Sequence, residues 1–228
     1  MKRQSLAPTW VLTAVIAAIG SAACAEDTPP TRNGLPLIFD EDFESGDSRW
    51  RMTDPKAWAI VEEDGNHVLA LQRSSDYEPK VRSPLSIALA SNLNVGSFVL
   101  EATLKQTGRD YNHRDLCLFF GHNGPSKFYY LHLATKADDH AHSIFLVNDA
   151  ARVSVAKERT EGVAWDDEYH LIRVTRDAES GQIKVFFDNM ERPIMQTVDK
   201  TFLTGTIGLG SFDDTGTFDN IRLWAETE

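Results

Sequence analysis

Short alternating segments, separated by tight turns, run through the chain from residue 37 onward. Apolar and polar residues alternate within them, which is the period of a β-strand that buries one face. The connectors carry turn residues, as in Asp64-Gly65-Asn66 and Ser180-Gly181. No stretch has the period and caps of an amphipathic helix, although residues 86–92 are compatible with one helical turn. Many strands without helices predict an all-β domain, either a sandwich or a barrel.

Ten segments carry the strand pattern most clearly. Their regular spacing leaves room for turns but shows no internal repeat and no second domain. The predicted strands cover residues 58–62, 67–72, 96–106, 116–121, 128–134, 143–148, 170–176, 182–188, 205–211 and 217–225.

The N-terminus has the pattern of an export signal. Lys2 and Arg3 precede an apolar stretch at residues 10–19, which is too short to span a bilayer. Ala23-Cys24-Ala25 fits an A-x-A cleavage site, so residues 1–25 are predicted to be a signal peptide. In a second interpretation residues 21–24 resemble a bacterial lipobox, with a serine in place of the usual large aliphatic residue, and Cys24 carries a lipid anchor. Both interpretations predict a secreted protein, periplasmic or extracellular, without a transmembrane segment after signal removal.

About 200 residues remain after cleavage, which suits one all-β domain. Residues 26–36 are rich in Pro, Thr and Asn and are predicted to be a flexible linker, with the β-domain at residues 37–228. Cleavage removes Lys2 and Arg3 and no acid, so the formal net charge goes from −11 to −13. So acidic a surface argues against nucleic acid and anionic membranes as partners.

Several motifs resemble those of the concanavalin A-like and laminin-G jelly rolls. Residues 169–176 and 182–188 are similar to the hairpin in which a W-H-x-v-x-V-x-R strand turns through glycine into i-x-v-y-x-D. Residues 205–223 resemble the closing strands of these families, and residues 42–50 resemble their opening. The resemblance implies a two-sheet antiparallel jelly-roll β-sandwich. Members of this superfamily bind or cleave glycans on a concave sheet, so it also implies a polysaccharide or oligosaccharide ligand.

Five of the seven histidines lie between Tyr111 and Arg152. On the strand at residues 128–134, the period of two places Tyr130 and His132 on one face, about 7 Å apart, and the leucines on the other. A phenol and an imidazole suit a sugar, because a ring can stack on it and polar atoms can bond to its hydroxyls. The alternative is that both side chains pack under the next loop.

Residues around this strand complete the predicted groove. Arg114 is suited to a bidentate contact with a carboxylate or sulfate, or to a structural ion pair with Asp115. His140 and His142 follow two aspartates, which suits ligand contact, a transition-metal site or a solvated turn. The predicted ligand-binding residues are His113, Arg114, Tyr130, His132, Asp139, His140, His142, Asn148 and Arg152.

Acidic side chains alternate along the opening strand and would repel each other unless a cation or bases lie among them. Many carbohydrate-binding jelly rolls hold a structural Ca²⁺ between the opening and closing strands, so the resemblance implies Asp42, Glu44 and Asp219 as ligands here. Calcium takes six to eight oxygens, which side chains and carbonyls at strand ends can supply. The alternative is a set of surface acids paired with nearby arginines, and Asp213-Asp214 is a weaker second candidate.

Motifs of several enzyme classes are absent from the sequence. The E-x-D-x-x-E strand of laminarinase-type hydrolases is missing, and the lyase motifs R-S-E-L-R and Q-I-H are not met. A polysaccharide lyase would still need His or Tyr as proton carriers, which makes His132 and Tyr130 the candidate catalytic residues. The sequence therefore favours a secreted carbohydrate-binding domain. The alternatives are a lyase or glycoside hydrolase using the same groove, and a non-catalytic cell-surface interaction module.

Overall fold

The computed structural model describes residues 28–227. These residues form seventeen β-strands and one 3-10 turn and contain no α-helix, which confirms the predicted all-β class. The predicted signal peptide, residues 1–25, lies outside the described residues. In chain order the strands are β1 (Thr31–Arg32), β2 (Leu35–Glu41), β3 (Trp50–Met52), β4 (Trp58–Glu63), β5 (Asn66–Leu71), β6 (Ser86–Ala90), β7 (Val95–Gln106), β8 (Asp115–Gly124), β9 (Lys127–Ala134), β10 (Ser143–Asn148), β11 (Val153–Ser154), β12 (Glu158–Arg159), β13 (His170–Arg176), β14 (Gln182–Phe187), β15 (Met195–Val198), β16 (Thr206–Ser211) and β17 (Gly216–Thr227).

The strands form two antiparallel sheets. The ten-stranded sheet follows the order β1-β2-β17-β7-β13-β14-β15-β12, and β5 pairs with both β17 and β4. The seven-stranded sheet follows the order β11-β10-β9-β8-β16-β6-β3. The chain crosses between the sheets repeatedly, so that neighbours such as β8 and β16 are distant in sequence. This topology confirms the predicted two-sheet jelly-roll sandwich.

The main hydrophobic core lies between the two sheets. Leu118 and Leu131 enter it from the seven-stranded sheet and Leu223 enters it from the ten-stranded sheet, and all three are fully buried. Because side chains alternate along a strand, Tyr130 and His132 point to the outer face of the seven-stranded sheet. The predicted division of β9 into an inward leucine face and an outward Tyr-His face is thus confirmed.

A second apolar cluster packs on that outer face. It consists mainly of aromatic rings from neighbouring strands, and we call it the outer aromatic layer. Val81, from the segment between β5 and β6, packs against it. The layer contains Ile87, Cys117, Phe119, Phe128, Tyr130, Phe145 and Val147. Much of the face that was predicted to hold a polar ligand is therefore apolar and covered.

Two local predictions differ from the structure. Residues 86–92, compatible with a helical turn, instead contain β6, whose backbone is paired on both sides by β16 and β3. Part of the predicted linker is ordered, because Thr31–Arg32 pairs with β2 and the Trp224 indole donates a hydrogen bond to the Pro29 carbonyl. Among the described residues, no helix has the length and apolar character needed to cross a membrane.

Candidate functional site

A pocket of about 220 Å³ lies beside the outer aromatic layer. Strand β9 reaches it with His132, and segments between strands supply the remaining side chains. Four residues predicted from the sequence to bind a ligand, His113, His132, His140 and Arg152, meet in this pocket. The full lining is Arg82, Arg109, Tyr111, His113, His132, His140, Arg152, Phe212 and Asp213.

Tyr130 lies beneath this pocket rather than in it. Its exposed fraction is 0%, and the rings of Phe119 and Phe145 stack on it with centroids 5.9 and 5.2 Å away. The predicted role of Tyr130 as an open stacking surface for a sugar is therefore wrong, since its ring faces are occupied by other rings. His132, with 3% exposed, is the member of the pair that lines the pocket.

Arg152 is held in place by neutral acceptors and by rings. Its Nη1 donates to the Tyr130 hydroxyl at 2.8 Å, and its Nη2 donates to the His140 carbonyl at 2.8 Å. The guanidinium also lies 4.3 Å from the centroid of the Phe212 ring and 4.9 Å from that of Phe145. These contacts fix the orientation of the cation without cancelling its charge.

Burial controls the ionisation of the two candidate catalytic residues. Burial, and then the charge of Arg152, lowers the pKa of His132 to about 3, so its imidazole is neutral at pH 7. Burial raises the pKa of Tyr130 well above its ordinary value. Neither group titrates near neutrality, where a general acid or base works best.

Side chains at the rim are more open to solvent. His113 and His140 are exposed, and the His113 ring pairs with the Asp138 carboxylate. The guanidinium of Arg109 lies 4.5 Å from the centroid of the Tyr111 ring. These groups can exchange water for a ligand at low cost, because none of them is sealed in the interior.

A loop carboxylate, that of Asp214, holds in place the side of the pocket that Tyr111 lines. The Tyr111 hydroxyl donates to Asp214 at 2.7 Å, and burial and this carboxylate raise the pKa of the phenol. Asp214 also accepts from the backbone of Asp115. The segments before β8 and after β16 are therefore tied together at the pocket.

Two predicted ligand-binding residues serve structural roles instead. Arg114 is 4% exposed and forms ion pairs with Asp110 and Asp167, so the structural alternative is correct although the partner is not Asp115. His142 is fully buried, and its Nε2 lies 2.9 Å from the Thr160 hydroxyl. Its backbone has a φ of 51°, which turns it away from the face that His140 occupies.

The two remaining predicted residues lie outside the pocket. Asn148 is exposed at the end of β10, where its side-chain oxygen accepts from Lys127 at 3.3 Å. Asp139 is exposed and does not line the pocket, although it adjoins His140. The predicted set extends beyond the lining of this pocket, because strand period identifies a face but does not show where loops fold over it.

Five lining residues were not predicted as ligand contacts. They lie on three separate segments, and no local motif connects them. Residues 109–111 precede β8, residue 82 precedes β6, and residues 212–213 follow β16. The sequence signals were the position of Tyr111 at the start of the histidine-rich run and the Asp213-Asp214 pair, which was considered only as a calcium candidate.

The predicted calcium ligands Asp42, Glu44 and Asp219 lie near one another, but they do not each place an oxygen within 4.8 Å of the other two. Burial, and to a smaller extent the charges of Asp42 and Glu44, raises the pKa of Asp219. Glu44 accepts from both the backbone and the ring of His67, and Asp219 accepts from Asn66 at 3.1 Å. The negative charge of this region suits a cation, which would have to compete with the hydrogen bonds that His67 and Asn66 donate to Glu44 and Asp219.

A different acidic group is more compact. Asp115, Asp213 and Asp214 each place an oxygen within 4.8 Å of the others, and no other three potential metal ligands do so within residues 28–227. Asp115 accepts from Ser211 and from the backbone of Phe212, and burial raises its pKa. Hydrogen bonds inside the protein therefore engage the carboxylates of Asp115 and Asp214.

A second pocket, of about 390 Å³, lies near the end of strand β9 that is opposite His132. Along β9 the outward residues run from Phe128 through Tyr130 to His132, and His122 stacks on Phe128 with centroids 5.2 Å apart. His122 and Arg51 line this second pocket. None of the predicted ligand-binding residues line this second pocket, which is the rival location for a ligand.

Comparison with solved structures shows the fold. The carbohydrate binding module CBM66 from Bacillus subtilis is 17% identical, with a TM-score of 0.55 over 78% of this chain and 96% of that one. A Bacillus subtilis protein of unknown function with a galectin-like fold is 11% identical, with a TM-score of 0.58 over 84% and 97%. A Bauhinia forficata lectin in complex with GalNAc is 12% identical, with a TM-score of 0.51 over 84% and 99%.

No family model matches this chain, and no curated protein matches its sequence. The structural neighbours are all-β sandwiches of the galectin, lectin and binding-module kind. The chain therefore has the concanavalin A-like jelly-roll fold that its hairpin and closing-strand motifs indicated.

Proposed function

We propose that this chain is an exported carbohydrate-binding protein, and that the pocket beside the outer aromatic layer holds part of the saccharide. The observation that carries the proposal is the meeting of three imidazoles with the half-buried rings of Tyr111 and Phe212 in one pocket. Such a pocket offers apolar ring surface and directional polar groups together, which is what a sugar requires. Carbohydrate binding by structural neighbours adds support at the level of the fold.

The exposed histidines provide a direct test. A glycan array with the mature protein identifies the saccharides that bind, and the double variant His113→Ala/His140→Ala is then titrated with them. We expect binding to fall at least about tenfold, because two rim contacts are lost. His67→Ala is the matched control, since it removes a partly exposed histidine from the ten-stranded sheet.

Two outcomes would contradict the proposal. If no saccharide on the array binds, the proposal that the chain is a carbohydrate-binding protein is wrong. Full binding by the double variant, combined with loss of binding in Arg51→Gln, would place the site in the second pocket.

Cleavage of the bound glycan by His132 or Tyr130 has less support than binding. A base whose pKa is about 3 has little driving force to accept a proton at pH 7. The Tyr130 phenol has no opening to the pocket and no tendency to ionise. If the protein converts a glycan that binds into ultraviolet-absorbing products, or into products with new reducing ends, the enzymatic alternative is correct.

A further inference from the structure

Three guanidinium groups line the pocket without a carboxylate partner. Arg82, Arg109 and Arg152 belong to its lining, and within residues 28–227 none of them forms a salt bridge. By contrast, the guanidinium of Arg173 is paired with Glu101 on the neighbouring strand. Positive charge is therefore concentrated at this pocket, and in the part of the chain that the structure describes no salt bridge pairs these three guanidinium groups with a carboxylate.

The sign of this charge is opposite to that of the chain as a whole. The formal net charge is −11 at pH 7, yet three arginines line the pocket against a single carboxylate, Asp213. Burial and the neighbouring Asp214 raise the pKa of Asp213, which disfavours its charged form. A local positive field on an acidic protein selects for an anionic ligand.

Arg152 is oriented before any ligand arrives. Its two hydrogen-bond acceptors, the Tyr130 hydroxyl and the His140 carbonyl, are both uncharged. After burial, Arg152 and His113 are the largest causes that lower the pKa of His132, so the positive field extends to the floor of the pocket. An oriented, unneutralised guanidinium loses little further entropy when it binds an anion.

We infer that the saccharide bound here carries an anionic substituent, either a uronate carboxylate or a sulfate ester, held by Arg82, Arg109 and Arg152. This inference rests on the proposed function and names its class of ligand. The forked donors of arginine match the oxygens of both groups and bind them bidentately. Asp213 is left to accept hydrogen bonds from sugar hydroxyls.

Calorimetric titration of matched saccharide pairs tests the inference. A uronate oligosaccharide is compared with its methyl ester, and a sulfated oligosaccharide with its desulfated form, for every backbone that binds on the array. We expect the neutral member of the recognised pair to bind at least about tenfold more weakly, because charge-assisted hydrogen bonds are lost. The pair that shows the difference identifies the carboxylate or the sulfate as the anion.

Charge-removing variants provide the second arm. Arg82→Gln/Arg109→Gln should weaken binding of the charged saccharide at least about tenfold and should weaken binding of its neutral form by a much smaller factor. Both arginines are exposed, so the variant is expected to fold. Arg192→Gln is the control, because Arg192 is also exposed and does not line the pocket.

The outcomes separate the two proposals. Equal binding of charged and neutral members, with loss of both in His113→Ala/His140→Ala, would overturn the anionic ligand and leave saccharide binding standing. Binding of neutral saccharides alone, with no charged saccharide bound, would also overturn the anionic ligand and leave saccharide binding standing. Absence of any saccharide binding would refute the proposed function and, with it, this inference.

Discussion

The guanidinium of Arg152 donates a hydrogen bond to the buried hydroxyl of Tyr130, with the two atoms 2.8 Å apart. This contact joins the outer aromatic layer to the pocket above it. In the proposed site, Tyr130 therefore acts on the ligand through Arg152 rather than by direct contact. The hydrogen bond to Arg152 also explains how Tyr130, an aromatic residue with no exposed surface, can influence the polar groups of the pocket.

Removing the Tyr130 hydroxyl should weaken saccharide binding without abolishing it. In Tyr130→Phe, Arg152 loses one of its two hydrogen bonds, so we expect saccharide affinity to fall several-fold and stability to fall by about 1 kcal/mol. Calorimetric titration and urea denaturation measure the two effects.

Tyr129→Phe is the matched control for that variant. Tyr129 is the preceding residue on β9, its ring lies in the main core, and its hydroxyl bonds to Asp199 on the opposite side of the sheet. The Tyr129→Phe variant should have a lower free energy of unfolding and an unchanged affinity for the saccharide. Equal loss of affinity in both variants would show that Tyr130 has no particular role in positioning Arg152.

The buried imidazole of His132 should make stability depend on pH. Its pKa is lowered to about 3, whereas a histidine in an unfolded chain titrates near 6.5. Between these values the unfolded state takes up a proton that the folded state does not, so stability is fully present above about pH 6.5 and is lost as the pH falls toward 3.

Comparison with His132→Gln isolates this contribution. Between pH 7 and pH 4 the wild type should lose roughly 2 to 3 kcal/mol more of its free energy of unfolding than the variant. Asp115, whose pKa is raised by burial, acts in the opposite direction and is common to both proteins. An identical loss in both would mean that His132 is protonated in the folded state.

Calcium should stabilise the protein if the opening and closing strands share a cation. The region around Asp219 is rich in negative charge, and Asp42 and Glu44 contribute to the raised pKa of Asp219. We expect millimolar CaCl₂ to raise the melting temperature by a few degrees and Asp219→Asn to abolish the rise. An unchanged melting temperature, with chelator and calcium giving the same curve, would leave the acids as surface charge only.

Processing of the N-terminus distinguishes the two export interpretations. Intact-mass measurement of the protein made in a bacterium should give a chain that starts at Glu26. A chain that starts at Cys24 with the added mass of acyl groups would establish the lipid anchor instead. Retention of Met1 in the mature protein would contradict both.

The strands that carry a long alternation were predictable from sequence. The predicted strands at residues 143–148 and 170–176 match β10 and β13, because five to seven residues are enough to show the period. Strands β1, β11 and β12 have two residues each, which is too short for any period. Tertiary pairing, rather than local pattern, makes them strands.

The candidate site was predictable where strand β9 and residues close to it in the sequence supply it. Alternation on β9 correctly placed His132 on the outer face, and proximity along the chain brought His113, His140 and Arg152 into the same prediction. Burial of Tyr130 was considered only as an alternative, because it depends on Phe145 from the adjacent strand. Arg82 reaches the pocket from a loop distant in sequence, which no local pattern reveals.

Imidazole NMR during a saccharide titration tests the location of the site most directly. The ring signals of His113, His132 and His140 should shift together as ligand is added, while that of His170, on the ten-stranded sheet, stays fixed. A shift confined to His122 would place the ligand in the second pocket. That result would contradict the assignment of the saccharide to the arginine-lined pocket.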